Sequence, residues 1–411
     1  MERLLFNPWE APVDLTPRRE KLLTHHLRDF LPAIRAHQSL KSFRASELYG
    51  KIRAELDEVI FGHEFGFYND EPTTGRAKKF YRAVFWNLSG EVNYDSLLDL
   101  LKNHPILRKT DFFLFAGADI GMARTQNRNI VRSLAIELSC NYAFACSHLY
   151  VMPHPKLHGS ENHYGLVGQA IMTPHPLKSF VTIPLKSLVD PFRRETKRIG
   201  HEKAIVVKVA LPNQDLNVVC AKLDTSSSPR QRALQMKNIF AGAGHDLADY
   251  PLLFGGGLNT TTYDSRHAVP QFFSFFNKVV RGYDFICEEH HAHPEKHFDR
   301  RIFDVLRNFN FHFDDVNELG IPTFHCPFEE LEVQGHKEKM ISHMMIKALT
   351  RYFYHGTQRL AFKTDWFAAN ALVRPSDSPQ AERPKVLTNL YHDMAPISTH
   401  DPIVVDFEVR D

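Results

Sequence analysis

The segment that most constrains the fold is a short apolar run that ends in three glycines, a leucine and an asparagine. It reads Pro-Leu-Leu-Phe-Gly-Gly-Gly-Leu-Asn-Thr over residues 251–260. Such a run is too short for most helices and predicts a buried strand. The glycines let the backbone leave the strand with a positive φ, or let another group approach it closely. The segment therefore favours a layered α/β protein with Asn259 at a strand end, where chemistry often occurs. The alternative is an ordinary strand followed by a glycine turn.

The composition indicates a large folded chain without a dominant charge. Its 411 residues are enough for one large domain or two, and a hydrophobic fraction of 43% argues against disorder. The formal net charge of +2 gives no global electrostatic reason to expect a nucleic-acid or membrane partner. The five cysteines are odd in number and include no CxxC pair, which favours free thiols in a reducing compartment over disulfides or a zinc ribbon.

The N-terminus and the apolar runs predict a cytoplasmic location. Residues 1–10 lack the basic and then apolar regions of a signal peptide. No apolar run approaches the roughly 20 residues that a transmembrane helix needs. No basic stripe with interleaved aromatic residues is evident, so nucleic acid is not predicted as the ligand.

The chain divides into an N-terminal extension and a larger region that begins near residue 79. Apolar residues at helical spacing predict helices within residues 1–60, which could dock a protein partner. Residues 61–78 are rich in Gly, Asn, Pro and Thr and predict a linker, so that 1–78 form a helical extension with its linker. Within 79–411, residues 284–336 are dense in histidine and acid and predict a loop-rich insertion.

Predicted strands and helices alternate through the larger region. Residues 203–211 and 217–223 predict a hairpin, with turn residues between them. A helix is predicted to begin at Pro229 with Ser228 as its cap, and two more are predicted over 270–281 and 340–354. Alternation interrupted by a hairpin favours an α+β fold in which helices cover two packed sheets.

Seven segments, taken in their order along the chain, resemble the endonuclease/exonuclease/phosphatase superfamily. Members of that superfamily are metal-dependent phosphodiesterases and phosphatases. The resemblance implies an α+β fold, a four-layer α/β sandwich of two packed mixed sheets flanked by helices, over about residues 79–411. The segments are 86–87, 119–129, 168–176, 221–235, 256–260, 364–367 and 398–402.

The resemblance also implies a set of site residues, half of which this chain lacks. The surviving family positions are Asn87, Asn259, Asp365 and His400. The departures stand where the family has a metal-binding glutamate, a phosphate-contacting histidine, a water-handling aspartate and the aspartate before the last histidine. In that order, they are Gly117, Lys222, Gly257 and Thr399.

These departures predict that the ordinary Mg²⁺-dependent hydrolysis is lost and that no cofactor is bound. Mg²⁺ requires carboxylate oxygens, which glycine does not offer, and Lys222 adds a positive charge where the cation would lie. His400 is also expected to lack the partner that orients and activates it. The pocket is nevertheless suited to an anion, since an ammonium and amide donors bind phosphate or carboxylate. The predicted ligand is a phosphorylated or anionic small molecule held by Lys222, Asn87, Asn259 and His400.

Two alternatives remain open. In the first, the chain is an active phosphoesterase with a relocated Mg²⁺ or transition-metal site in the His-rich insertion, where His290, His291 and His293 are candidate ligands. A solvated loop is the plainer interpretation of that stretch. In the second, the chain is a non-catalytic, partner-binding or regulatory subunit.

Overall fold

The computed structural model describes most of the chain. The described residues are 12–15, 20–69, 78–89, 92–152, 160–187, 190–193, 197–242, 250–260, 280–281, 285–297, 299–327, 359–375, 378–392 and 395–409. The predicted helices over 270–281 and 340–354 lie almost entirely outside them.

Strands are the main element of the described chain. They are β1 Val13–Asp14, β2 His63–Gly66, β3 Tyr81–Asn87, β4 Phe112–Ile120, β5 Asn141–Tyr150, β6 Leu166–Thr173, β7 Leu177–Pro184, β8 Arg198–Gly200, β9 Lys203–Ala210, β10 Asp215–Lys222, β11 Leu252–Gly257, β12 Phe324–Pro327, β13 Arg359–Phe362, β14 Asp365–Asn370, β15 Leu372–Val373, β16 Lys385–Val386, β17 Tyr391–His392, β18 Ala395–Pro396 and β19 Ile403–Val409. The α-helices are α1 Leu31–Arg35, α2 Leu40–Arg44, α3 Glu47–Ile60, α4 Tyr94–Asn103, α5 Ile130–Glu137, α6 Pro229–Gly242 and α7 Arg300–Asn308.

Two large mixed sheets form the centre of the protein. The six-stranded sheet has the order β1-β7-β9-β10-β11-β14, and only β10 and β11 run parallel. The nine-stranded sheet has the path β15-β19-β3-β4-β6-β5-β2, with β16 paired to β19 and β8 paired to β5. In this sheet only β3 and β4 are parallel.

Three apolar layers show that the sheets pack face to face with helices outside. Alternate side chains of a buried strand point to opposite faces, so Trp86 of β3 packs toward α3, α4 and α5, whereas Phe85 packs between the sheets. The other face of the six-stranded sheet packs on α6 and α7, where Phe254 and Trp366 are buried. The predicted α+β fold of two packed mixed sheets flanked by helices is therefore confirmed.

Local signals account for several of these elements. The hairpin of β9 and β10 and the helix that begins at Pro229 occur as predicted. The Ser228 hydroxyl accepts a hydrogen bond from the amide of Gln231 at 3.2 Å, as an N-terminal cap should. Three cysteines, Cys140, Cys146 and Cys220, are buried free thiols, and burial raises the pKa of each.

Two predicted elements are wrong. The predicted linker over 61–78 contains β2, which pairs antiparallel with β5. Its alternate residues Glu64 and Gly66 are buried in that pairing. The predicted loop-rich insertion contains α7, whose apolar residues Ile302, Phe303 and Leu306 recur at helical spacing and pack under the six-stranded sheet.

The apolar faces of the N-terminal helices pack against the protein's own core. Ile52, Leu56 and Val59 of α3 are buried in the layer beside the nine-stranded sheet. Within the described ranges, the helices are all too short or too polar to cross a membrane.

Candidate functional site

The candidate site lies where central strands of both sheets end. Lys222, Gly257 and Asp365 occupy neighbouring register positions on β10, β11 and β14. A Cβ atom placed on Gly257 would lie 3.2 Å from Asp365 Oδ1 and 3.7 Å from both Asn87 Nδ2 and Lys222 Cγ. The structure therefore brings Asn87, Lys222 and Asp365 together around a backbone position without a side chain.

Asn87 and His400 enter this cluster from the nine-stranded sheet. Asn87 is the last residue of β3 and is buried, with its Oδ1 accepting a hydrogen bond from the amide of Ser89 at 3.1 Å. Its Nδ2 therefore faces His400 Nε2, at 3.3 Å. The indole of Trp86 donates to the His400 carbonyl at 2.8 Å, and Ser398 Oγ donates to the Asn87 carbonyl at 2.8 Å. These bonds hold the segment before β19 against the end of β3.

His400 has an orienting partner, so the prediction that it lacks one is wrong. Its Nδ1 lies 2.6 Å from Asp365 Oδ2, and both side chains are buried. The family pattern places the partner directly before the histidine, where this chain has Thr399, whereas the carboxylate comes from the start of β14. A carboxylate on Nδ1 selects the tautomer in which Nε2 has a free lone pair, which is the arrangement of a general base.

Gly117 is a bulged position that has no room for a side chain. The pairing of β4 with β6 shifts register between Ala116 and Ala118, and Gly117 has φ +67. A Cβ atom there would overlap the Ser89 hydroxyl oxygen and lie 3.3 Å from Asn87 Oδ1. The Gly117 amide instead donates to Gln169 Oε1 at 3.1 Å. A side chain at position 117 would therefore have to displace the Ser89 hydroxyl and adopt a strained positive φ.

The Lys222 ammonium lies in this part of the site. Lys222 Nζ donates to Ser89 Oγ at 2.5 Å, and Ser89 is the same residue that a side chain on Gly117 would strike. Ser89 is a functional candidate that the sequence analysis missed. It lies two residues after Asn87 in a loop, and no motif distinguished it.

Asn259 and Thr399 occupy the edges of the site. Asn259 has φ 50, and its Nδ2 donates to the Leu223 carbonyl, so this amide joins the ends of β10 and β11. Thr399 lines a neighbouring cavity of about 300 Å³ together with His325 and Asp401.

The candidate metal ligands of the His-rich insertion do not converge in the described structure. His290 and His291 are buried with ring centroids 5.7 Å apart, whereas His293 is paired with Glu295 at 3.1 Å. Among the described residues, no group of three or more His, Cys, Asp or Glu side chains is placed to hold a metal ion.

A basic cluster at the end of β5 was also missed by the sequence analysis. It consists of Arg124, Tyr150 and Arg198, of which Tyr150 and Arg198 lie opposite each other on β5 and β8. Their spacing along the chain, with more than 20 residues between each pair, carried no recognisable pattern.

Comparisons with known proteins give fold neighbours but no close relative. No family model matches the chain, and no curated protein does. Among solved structures, an endonuclease/exonuclease/phosphatase from Beutenbergia cavernae DSM 12333 matches with 16% identity and a TM-score of 0.45, covering 82% of this chain and 72% of that one. One from Bacteroides vulgatus matches with 11% identity and a TM-score of 0.45, covering 81% and 100%. The human Nocturnin catalytic domain with bound sulfate matches with 13% identity and a TM-score of 0.42, covering 85% and 97%.

The chain is similar in fold to these proteins.

Proposed function

We propose that this chain is a protein of phosphoester-hydrolase lineage whose pocket binds a phosphorylated or otherwise anionic small molecule without the ordinary Mg²⁺-dependent hydrolysis. One observation carries the proposal. The Lys222 ammonium is bonded to Ser89 directly beside Gly117, at the position where the superfamily pattern places a metal-binding carboxylate. A resident positive charge at that place favours an anion and opposes a divalent cation.

The supply of carboxylate oxygens supports the same conclusion. Gly117 and Gly257 have no side chain, and Thr399 offers only a neutral hydroxyl. Asp365 is the carboxylate that the described residues bring to this cluster, and its Oδ2 is engaged by His400. Mg²⁺ needs near-octahedral oxygen ligands, usually including one or two carboxylates, so the pocket is poorly suited to hold it beside Lys222.

A second candidate function is metal-independent phosphoester hydrolysis, which the His400–Asp365 pair favours. His400 Nε2 could accept a proton from water while Lys222 balances negative charge on the phosphoryl group. The relocated-metal alternative at His290, His291 and His293 and the partner-binding alternative through residues 1–60 rest on sequence alone. The activity experiment separates the relocated-metal alternative from the proposal.

The binding experiment uses the full chain treated with a chelator, after elemental analysis of the native protein. Isothermal titration calorimetry with inorganic phosphate is expected to show binding that Lys222→Met weakens by about tenfold or more, because an ion-assisted hydrogen bond is lost. Lys237→Met is the matched control, since Lys237 is exposed on α6 and is not among the residues that surround Gly257. Equal phosphate affinity in all three proteins, or no binding in any of them, contradicts the proposal.

The activity experiment uses mono- and diester phosphates with Mg²⁺, Mn²⁺, Zn²⁺ or chelator. No turnover under any condition is the expected result. Turnover that persists in chelator and is lost in His400→Gln supports the second candidate. Bound transition metal, together with turnover that is abolished by replacing His290, His291 and His293, would show that the active site lies in the His-rich insertion. Turnover that requires Mg²⁺ and is lost in Asp365→Asn contradicts the proposed loss of the ordinary mechanism.

A further inference from the structure

Tyr150 stands between two guanidinium groups at the end of β5. Arg198 Nη1 donates to the Tyr150 hydroxyl at 3.0 Å, and the Arg198 guanidinium carbon lies 5.4 Å from the Tyr150 ring centroid. The guanidinium carbon of Arg124 lies 5.5 Å from the same centroid. Tyr150 and Arg198 are half-buried, so a ligand can reach them from solvent.

The two arginines differ in how far their donors are used. Arg124 forms a two-point ion pair with the buried Asp119, with nitrogen–oxygen distances of 2.6 and 2.8 Å. Arg198 has its Nη1 on Tyr150, but its Nε is buried and has no hydrogen-bond partner. The donors on the exposed part of Arg198 that Tyr150 does not accept therefore remain available to an anionic ligand.

Carboxylates also lie near this cluster, and their effect has to be weighed. Asp224 accepts hydrogen bonds from Ser187 Oγ at 2.6 Å and from the Ser226 amide at 2.9 Å. Glu202 Oε2 lies 3.4 Å from the Gln169 amide nitrogen. Both acids therefore have neutral donors of their own.

The net potential at the Tyr150 hydroxyl is positive. Burial raises the pKa of Tyr150, but the charges of Arg198, Arg124 and Lys222 outweigh both burial and Glu202, so that the pKa is lowered. Hydrogen bonds also connect the two places: Lys222 is bonded to Ser89, which lies against Gly117, the Gly117 amide donates to Gln169, and Gln169 Nε2 lies 3.4 Å from Glu202 Oε2.

We infer that Arg198 and Tyr150 form a second anion subsite of the pocket, so that its ligand has two negatively charged groups, as diphosphate-type and bisphosphate compounds do. This inference rests on the proposed function, because the first group is the one that Lys222 binds. The planar guanidinium of Arg198 offers a phosphoryl oxygen the solvent-facing donors that Tyr150 does not accept. The Tyr150 oxygen accepts from Arg198, so its own O–H is directed to another acceptor and donates to the same anion.

The test compares anions with one and with several phosphoryl groups on the full chain in chelator. Isothermal titration calorimetry measures the affinities of inorganic phosphate, pyrophosphate and tripolyphosphate. In the native protein, the affinity for the tighter-binding of the two polyphosphates is expected to be about tenfold or more higher than the affinity for phosphate. In Arg198→Gln this preference is expected to fall below about threefold, while the affinity for phosphate itself stays within about twofold.

Two further variants complete the test, one within the cluster and one as a control for the loss of charge. Tyr150→Phe retains the ring between the guanidiniums and removes only the hydroxyl, so a partial loss of the preference is expected even where Arg198→Gln does not fold. Arg53→Gln is the matched charge control, because Arg53 pairs with Asp57 on the exposed side of α3. It should leave all affinities unchanged.

The outcomes separate this inference from the proposed function. Phosphate binding that depends on Lys222, without a polyphosphate preference or with a preference unchanged in Arg198→Gln and Tyr150→Phe, overturns the second subsite alone. No binding of any of the three anions overturns the proposed function and this inference together.

Discussion

His400 Nδ1 lies 2.6 Å from Asp365 Oδ2, and the opposite nitrogen of the same ring, Nε2, lies 3.3 Å from the Asn87 amide nitrogen. Asn87 cannot turn its amide over without losing the hydrogen bond from the Ser89 amide to its Oδ1. The carboxylate and the amide therefore select one state of the imidazole, with the proton on Nδ1 and an acceptor at Nε2. The pocket therefore contains a histidine in the arrangement of a general base.

The first prediction concerns this tautomer. Long-range ¹H–¹⁵N NMR of the native protein above pH 7 should show His400 protonated on Nδ1. Asp365→Ala removes the acceptor, so the Nδ1 preference should decline or be replaced by exchange between the two tautomers.

A matched control comes from the second histidine–aspartate pair. His325 Nε2 lies 2.9 Å from Asp401 Oδ2 on the neighbouring cavity, so Asp401→Ala should change the His325 signals and leave the proton of His400 on Nδ1. An Nε2-protonated His400 in the native protein would contradict the geometry.

The sequence best predicted those site residues that lie at the ends of strands. Asn87, Lys222 and Gly257 each follow a short apolar run, so the layered fold could be expected to gather them. The partner of His400 could not be predicted from adjacent residues, because Asp365 lies 35 positions away and reaches His400 only through the pairing of β14 in the other sheet.

Other features were invisible because they depend on backbone conformation or on distant contacts. Gly117 looks like a simple substitution in an apolar strand, and only the bulge shows that a side chain would strike Ser89. Arg198 and Tyr150 meet across β5 and β8 with no spacing signal along the chain. The helix α7 was not predicted, because the many histidine and acidic residues of the insertion suggested a loop there.

The second prediction is that Gly117 cannot be replaced without a loss of stability. Gly117→Ala should lower the free energy of unfolding by about 2–4 kcal/mol, since an L residue at φ +67 is strained and its Cβ overlaps Ser89 Oγ. Urea denaturation of the two proteins measures the difference. Restoring a glutamate by Gly117→Glu should be at least as harmful, and should not create a Mg²⁺ site.

The double variant Gly117→Ala/Ser89→Ala separates the two causes. Removing the hydroxyl should recover the steric part of the loss, whereas the part that comes from positive φ should remain. Full additivity of the two single changes would show that Ser89 is not what excludes a side chain at position 117.

The third prediction concerns the buried ion pair that joins β3 to β19. Arg82 Nε and Nη2 donate to the two oxygens of Asp406 at 2.7 and 2.6 Å, and both side chains are almost fully buried. Arg82→Met should lower the free energy of unfolding by about 3–5 kcal/mol, because it leaves the Asp406 charge buried without its partner. The double variant Arg82→Met/Asp406→Leu should lose less than either single variant in the same denaturation assay. A double variant as unstable as the sum of the singles would contradict this account.

The fourth prediction uses Lys363, a fully buried lysine two residues before the start of β14. Its Nζ has no hydrogen-bond partner, and burial lowers the pKa of Lys363 to about 8, despite the opposing charges of Asp365, Glu318 and Glu295. Below pH 8 both the folded and the unfolded chain hold the proton, so folding bears the full cost of burying the charge. Between pH 8 and 10.5 the folded chain has released a proton that the unfolded chain retains, and this contribution to stability rises with pH.

Lys363→Met should therefore raise the free energy of unfolding by about 3 kcal/mol at pH 7, and this advantage should disappear as the pH approaches 10.5. Chemical denaturation at several pH values measures the trend. Lys203→Met is the contrasting control, since Lys203 is equally buried but donates to the Ile60 carbonyl at 2.5 Å, and its removal should destabilise the protein. A Lys363→Met variant that is less stable than the native protein at pH 7 would contradict this account. It would mean that the buried ammonium of Lys363 stabilises the fold, and that it places no electrostatic strain on the start of β14, where Asp365 contacts His400.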